Sequence, residues 1–193
     1  MLIENDVVVP QPVDRVWEFF NDIPQVAASL PGAELTDELG EDSYQGKVAI
    51  AMGPVKLAFD GVAKVVERDE AARRLVIDGA GADEKGRGQA SLVLTATLAQ
   101  VPDGTRAHLA IDLTLSGAAA QYGRGMVSDV TSVLIGQFAG NVRRRIEAID
   151  RGEDLSALEA KPASGLAIGF QAAKLALARV FRRFFLPYQP EPR

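Results

Sequence analysis

One histidine, no cysteine and a scatter of acidic pairs are the residues from which this 193-residue chain would have to assemble any catalytic chemistry. Without cysteine there is no thiolate nucleophile, no disulfide framework and no thiolate-held zinc or iron–sulfur cluster. The histidine, His108, lies in TRAHLAIDL. Strand alternation turns Leu109 and Ile111 inward there and His108 outward beside Arg106 and Asp112, away from the cleft that a general base occupies. A Ser/His/Asp or Cys/His constellation therefore has nothing to build on, and the catalytic and metal sets are read as empty. The pairs Glu41/Asp42, Asp69/Glu70 and Asp83/Glu84 fall where the strand pattern breaks and read as solvated turns rather than acid/base or metal sites. GAGADEKGRG and SGAAAQYGRGM are glycine-rich, yet neither carries a phosphate-loop Lys nor a strand–GxGxxG–helix unit. The first reads as a turn with edge bulges and the second as small residues before a helix.

What the sequence offers instead is apolar surface in a definite order. Leu2 to Val9 reads as a strand, VDRVWEFF as a helix with Val13, Val16, Trp17 and Phe20 at helical spacing, and Ile23 to Leu30 as a second helix stopped by Pro31-Gly32. The period then becomes two. Ser43 to Met52 and Val55 to Val66 form a hairpin across Gly53-Pro54, followed by strands over 73–80, 91–99 and 106–115, each with one apolar face. From Tyr122 onward Met126, Val130, Val133, Leu134, Phe138, Val142, Ile146 and Ile149 recur at helical spacing, a long helix able to cover that face. One strand, two short helices, about six antiparallel strands and a long helix make an α+β helix-grip fold over residues 1–151. Trp17 is expected in its core.

The remainder differs in kind. Residues 152–164 are polar and read as a linker, and GLAIGFQAAKLALARVFRRFF begins an apolar, cationic tail, 165–193. At about 100° per residue, Phe170, Leu177, Phe181 and Phe184 share a side with Leu166, Ala173 and Val180. Arg179 and Arg182 lie opposite, with Lys174 and Arg183 at the borders. Residues 161–193 carry a net charge of +5, leaving −10 on the rest of a chain whose total is −5. An anionic membrane surface is the expected partner. Each large side chain there, Phe185 included, gains up to about 1.5–3 kcal/mol if fully buried, and each cation about 1 kcal/mol near anionic headgroups. Packing on the chain's own body or on another protein is one alternative, and a disordered tail is the other. The tail does not reach the roughly 18 uninterrupted apolar residues of a spanning helix. The acidic body would repel phosphates, so nucleic acid is not a partner. MLIENDVVVP resembles no secretory signal, and the expectation is a cytoplasmic protein, peripheral on the inner face of the cell membrane.

The order of elements resembles the START/Bet v 1-like (SRPBCC) superfamily of hydrophobic-ligand binders. PVDRVWEFFND, LPGAE, MGPVKLAFDG, GRGQASLVL and SGAAAQYGRGMVSDV, in this order, are similar to the CoxG-like family, the G subunits of carbon monoxide dehydrogenase, over residues 1 to about 150. That resemblance implies a cavity between sheet and helix. Its candidate lining is Ile50, Met52, Leu57, Phe59, Leu94, Ile111 and Leu113 from the strands and Tyr122, Met126, Val130, Leu134 and Phe138 from the helix. Leu30 and Pro31 would form a lid, and Tyr122 would stand at the mouth. A filled core uses the same letters. The resemblance further implies an accessory role beside a molybdenum-containing CO dehydrogenase or related hydroxylase, with no covalent cofactor. A flat or chain-like apolar small molecule, an isoprenoid quinone such as menaquinone, is the implied ligand. A membrane-recruitment adaptor without a ligand is the second reading, and an enzyme acting on an apolar substrate the third.

Overall fold

The computed structural model describes residues 1–52 and 55–158. Its elements run β1 (Leu2–Val9), α1 (Val13–Asn21), α2 (Ile23–Ser29), β2 (Ala33–Gly40), β3 (Ser43–Met52), β4 (Val55–Asp69), β5 (Arg74–Asp83), β6 (Gln89–Val101), β7 (Gly104–Leu115) and α3 (Arg124–Asp150). A 3-10 turn over Gly117–Gln121 leads into α3, and another covers Leu155–Leu158. The strands form one antiparallel sheet in the order β1-β7-β6-β5-β4-β3-β2, so β2 to β7 meander and β1 closes on the last of them. A bulge at Val66, where Val65 faces Ile77 but Glu67 faces Val76, bends β4 and adds twist to the sheet.

Local chemistry places the two short helices between β1 and β2, at opposite sheet edges. Asp14 puts a carboxylate in the first turn of α1, where the backbone N–H groups favour it. Asp22 Oδ1 caps α2 by accepting from the Gln25 N–H at 3.1 Å. The chain then turns at Gly32, whose φ is +80° and where a Cβ would sit 2.3 Å from the Ala49 carbonyl oxygen; only glycine lets α2 drop onto β3 so closely. α1 buries Val16, Trp17, Phe19 and Phe20, and the Arg73 guanidinium lies 5.7 Å from the Trp17 ring centroid.

Four features differ from the sequence expectations. The strand β2, AELTDELG, has no counterpart among them: it is an edge strand, mostly exposed and acidic, so no apolar alternation announces it. It pairs with β3 through two register slips, at Leu35/Asp37 and Glu38/Gly40. Second, GAGAD is strand rather than turn, because β5 runs on to Asp83. Third, Asp83 is not solvated; its side chain is 1% exposed. Fourth, the apolar row of α3 is buried along its middle, but Met126 and Ile149 at its ends are 46% and 40% exposed. Glu41 and Asp42, both with positive φ, do lie in a turn, whereas Asp69 is the last residue of β4 and Glu70 begins the turn after it.

The sheet has two outer strands. Along β1, α3 supplies the cover: Arg124 Nη2 donates to the Leu2 carbonyl at 3.1 Å and Ser132 Oγ to Asn5 Oδ1 at 2.8 Å. On its other flank α3 is tied to α2, where Asn141 Nδ2 donates to the Ser29 carbonyl and Arg145 Nη1 to Gln25 Oε1.

Candidate functional site

The face of the sheet that meets α3 is built by alternation, which stacks one residue in two from each strand. Ile50 pairs across the strands with Leu57, Val48 with Phe59, Leu94 with Ile111 and Leu92 with Leu113, a continuous apolar surface. The structure brings together most of the candidate residues here. Leu57 is 2% exposed, and Val130, Leu134 and Phe138 of α3 are buried. Phe59, Leu94, Ile111, Leu113, Ile50 and Tyr122 are only partly buried. Leu30 packs against the main cluster from the end of α2. Of Met52 the strand position opposite Val55 is described. Met126 is the exception, turned outward, and Val127 takes the buried place beside it. Either residue fits the helical spacing to Val130 and Leu134, so spacing alone could not choose between them.

The buried apolar interior is divided. At one end Phe20 and Phe138 meet edge to face, ring centroids 6.0 Å apart, within a cluster that includes Val16, Leu98, Leu109, Val142 and Ile146. At the other end Ile3, Leu57, Ala119 and Val127 form a second cluster, flanked by Phe59, Leu113, Leu115 and Tyr122. A third, Val130, Val133 and Leu134, is separate from both. The partly buried Ile111 touches the first two clusters and Ile50 the last two. A domain of this size ordinarily has one contiguous core with smaller satellite clusters beside it, and the first cluster is much the largest of the three. Two surface depressions, of about 460 and 370 Å³, lie elsewhere, one against Trp17 and Arg68 and one on the outer face of the sheet at Ala80–Ala82. Neither contains a candidate lining residue.

Sequence reasoning missed the polar knot at the second cluster's end. Asp83 accepts from Arg87 Nε and Nη2, both at 2.8 Å, and from the backbone N–H groups of Ala58, Lys85 and Arg87. Arg87 Nη2 also donates to the Lys56 carbonyl at 2.8 Å, and the Arg87 carbonyl accepts from the Ala118 N–H at 2.6 Å. Arg87 holds the Asp83 carboxyl well below the usual carboxylate range, with the three backbone donors helping and burial opposing. Tyr122 follows the Gly117–Gln121 turn, which the Arg87 carbonyl anchors through Ala118. The signal available in the sequence was the i, i+4 spacing of Asp83 and Arg87, obscured by the glycines around it.

His108 faces outward, its side chain 42% exposed, with Nδ1 3.2 Å from Asp6 Oδ1 and Nε2 3.7 Å from Glu4 Oε1. Among the described residues no three His, Asp or Glu side chains gather as metal ligands, and no helix is long and apolar enough to cross a membrane. The tail candidates Phe170, Lys174, Leu177, Arg179, Phe181, Arg182, Arg183, Phe184 and Phe185 lie outside the described residues, as do Gly53-Pro54.

The fold is shared with solved structures. A conserved protein from Geobacillus kaustophilus is similar at 20% identity and a TM-score of 0.67, over 76% of this chain and 95% of that one. The Zhui aromatase/cyclase from Streptomyces sp. R1128 is similar at 16% and 0.55, over 80% and 99%. A protein from Chromobacterium violaceum is similar at 16% and 0.53, over 76% and 96%. At these identities the likeness is one of fold, the Bet v 1-like helix grip. No curated protein matches the chain. Residues 6–147, which take in β1 to β7 and most of α3, match the model of CoxG, the G subunit of carbon monoxide dehydrogenase, and the chain belongs to that CoxG family.

Proposed function

We propose that the chain is a non-catalytic accessory protein of a molybdenum-containing CO dehydrogenase-type enzyme, and that its interior takes an apolar ligand, an isoprenoid quinone such as menaquinone. Residues 165–193 would hold it at an anionic membrane surface, on the inner face of the cell membrane. Family membership supports the enzyme partner. The observation that carries the ligand is the divided interior, whose clusters are bridged by the partly buried Ile50 and Ile111. A ligand lying between them would gain apolar contact on both sides, at about 25 cal/mol per Å² removed from water. Phe138 forms the floor of such a site and Tyr122 stands at its polar end, beside Arg87. The interior presents few hydrogen-bonding groups, so shape and dispersion would select the guest and the redox chemistry would remain with the partner enzyme.

Native mass spectrometry and organic extraction of the protein purified from its own host test this. A stoichiometric isoprenoid quinone is expected. Protein that repeatedly extracts empty, from cells whose membranes contain quinone, overturns the ligand and leaves the second reading, a membrane-recruitment adaptor. One observation favours that second reading: both described depressions lie outside the sheet–helix interior.

A further inference from the structure

On the inner side of β1 an amide interrupts a row of aliphatic residues. Alternation turns Ile3, Asn5, Val7 and Val9 away from the solvated face of the strand. Ile3 belongs to the second apolar cluster and Val9 to the first, against which Val7 also packs. Asn5 stands between them. Across the strands it faces Leu109, and its diagonal neighbour Ile111, opposite Ile3, packs against both clusters. The helix repeats the arrangement: Val127 belongs to the second cluster and Ile135 to the first, and Ser132, whose hydroxyl meets Asn5, lies between them along α3. The amide sits where the interior divides.

Its hydrogen bonding is incomplete. Asn5 Nδ2 is buried and, among the described residues, donates to nothing. Ser132 Oγ lies 2.8 Å from Asn5 Oδ1 and 2.9 Å from the Ser128 carbonyl oxygen, with one proton to give. If that proton goes to Ser128, the amide can turn over and donate to Ser132 Oγ, and Oδ1 then becomes the atom left over. In either orientation the described residues leave one polar atom of Asn5 unmatched. Elsewhere such groups are matched: Asn21 Nδ2 donates to the Trp17 carbonyl at 2.9 Å and Asn141 Nδ2 to the Ser29 carbonyl at 2.8 Å. The buried hydroxyls of Ser29 and Thr105 likewise donate to the Gln25 and Gln11 carbonyls, at 2.8 and 2.7 Å. A buried donor without an acceptor lowers stability, and an aliphatic side chain would avoid that cost, as Ile3 and Val7 do on either side. The amide suits a partner that arrives with a ligand.

We propose that Asn5 is a ligand-binding residue whose amide holds an oxygen carried on an otherwise apolar molecule. Nδ2 donates to a carbonyl oxygen, and the amide turned over accepts from a hydroxyl, so the oxidised and reduced forms of one ring are both served. The ligand class narrows accordingly: a bare hydrocarbon would leave the amide unmatched, whereas an oxygen-bearing ring meets it with its apolar body beside Ile111. This role rests on the ligand-binding function proposed above and adds to it the point at which the ligand's oxygen is held.

The test uses the full chain and two probes: menadione, a naphthoquinone ring without a prenyl chain, and methylnaphthalene, the same ring system without oxygens. Equilibrium dialysis measures the affinity of the parent and of Asn5→Leu for each. Leucine is close to asparagine in size and makes the row aliphatic throughout, while Ser132 keeps its bond to the Ser128 carbonyl. Asn5→Leu should bind menadione about tenfold more weakly than the parent does and methylnaphthalene equally well, the difference that one hydrogen bond makes. An equal loss for both probes, which a purely structural role would give, overturns the role of Asn5, and so does no loss for either; in both cases the ligand-binding function stands. A parent that binds neither probe removes that function and the role of Asn5 together. Should Asn5→Leu fail to fold, nuclear magnetic resonance of the parent decides, because Asn5, Asn21 and Asn141 are the chain's asparagines and can be labelled selectively with heavy nitrogen. Menadione should move one asparagine side-chain amide signal downfield where methylnaphthalene does not, and the same response to both probes overturns the proposal.

Discussion

Arg87 closes on Asp83 through two hydrogen bonds of 2.8 Å, four residues apart in the turn from β5 to β6, and buries the carboxylate almost completely. The same guanidinium reaches the Lys56 carbonyl of β4, while the Arg87 backbone holds the segment that leads into α3. Arg87, through its side chain and its backbone, thus fastens three stretches of chain at the Tyr122 end of the interior.

Arg87→Ala should therefore destabilise the protein more than Asp83→Asn, because it strands a buried charge whereas the amide can keep part of the hydrogen bonding. Urea denaturation at neutral pH measures both. The carboxyl titrates lower in the folded chain than in the unfolded one, so its stabilisation is present in full above the ordinary Asp value of about 3.9. That stabilisation is lost as the pH falls below this value toward the folded one. The difference in midpoint between the parent and Asp83→Asn should shrink in that window.

Ile50 and Val142 should answer differently to enlargement. Val142 is fully buried at the Phe20–Phe138 end, and Val142→Leu should cost about 1–3 kcal/mol by overpacking. Ile50→Phe, where the clusters part, should stay within about 1 kcal/mol and lower quinone recovery. Equal costs by chemical denaturation would mean that the interior is as full at Ile50 as at Val142.

Phe20→Ala removes one ring of the edge-to-face pair with Phe138 and should cost about 3–5 kcal/mol, read by urea denaturation. Pelleting with anionic vesicles should survive, since the tail is untouched.

Arg179→Glu with Arg182→Glu reverses two charges on the polar side of the tail. Sedimentation with phosphatidylglycerol vesicles should fall about a hundredfold or more in affinity, at about 1 kcal/mol per cation lost and a further penalty for each acid gained. Equal pelleting of parent and variant would remove electrostatics from the membrane reading.

How far the sequence disclosed this molecule depends on which residues hydrogen bonding and burial made regular. The β3–β4 hairpin was legible because Gly53-Pro54 separates two runs of strict alternation, and α3 because its apolar row persists for most of its length. Residues that answer to a neighbour rather than to a period were not legible. β2 owes its existence to pairing with β3, not to any apolar face of its own. Asp83 looks like any turn carboxylate until Arg87 and three backbone donors are folded round it. Leu57, Val130, Leu134 and Phe138 are buried, as an inward-facing row requires, whereas Met126 is exposed and Val127, which satisfies the same spacing, is buried beside it. The division of the core, on which the functional reading rests, is a three-dimensional relation that no linear pattern records.

The two outer strands of the sheet are guarded by different means. β1 lies under α3, while β2 relies on Glu34, Asp37 and Glu38 together with its two register slips. A neighbouring molecule offering a strand would meet like charge and a broken ladder at one rim and a helix at the other. Strand-to-strand association is accordingly disfavoured at both rims, and neutralising Asp37 and Glu38 should weaken that protection at β2.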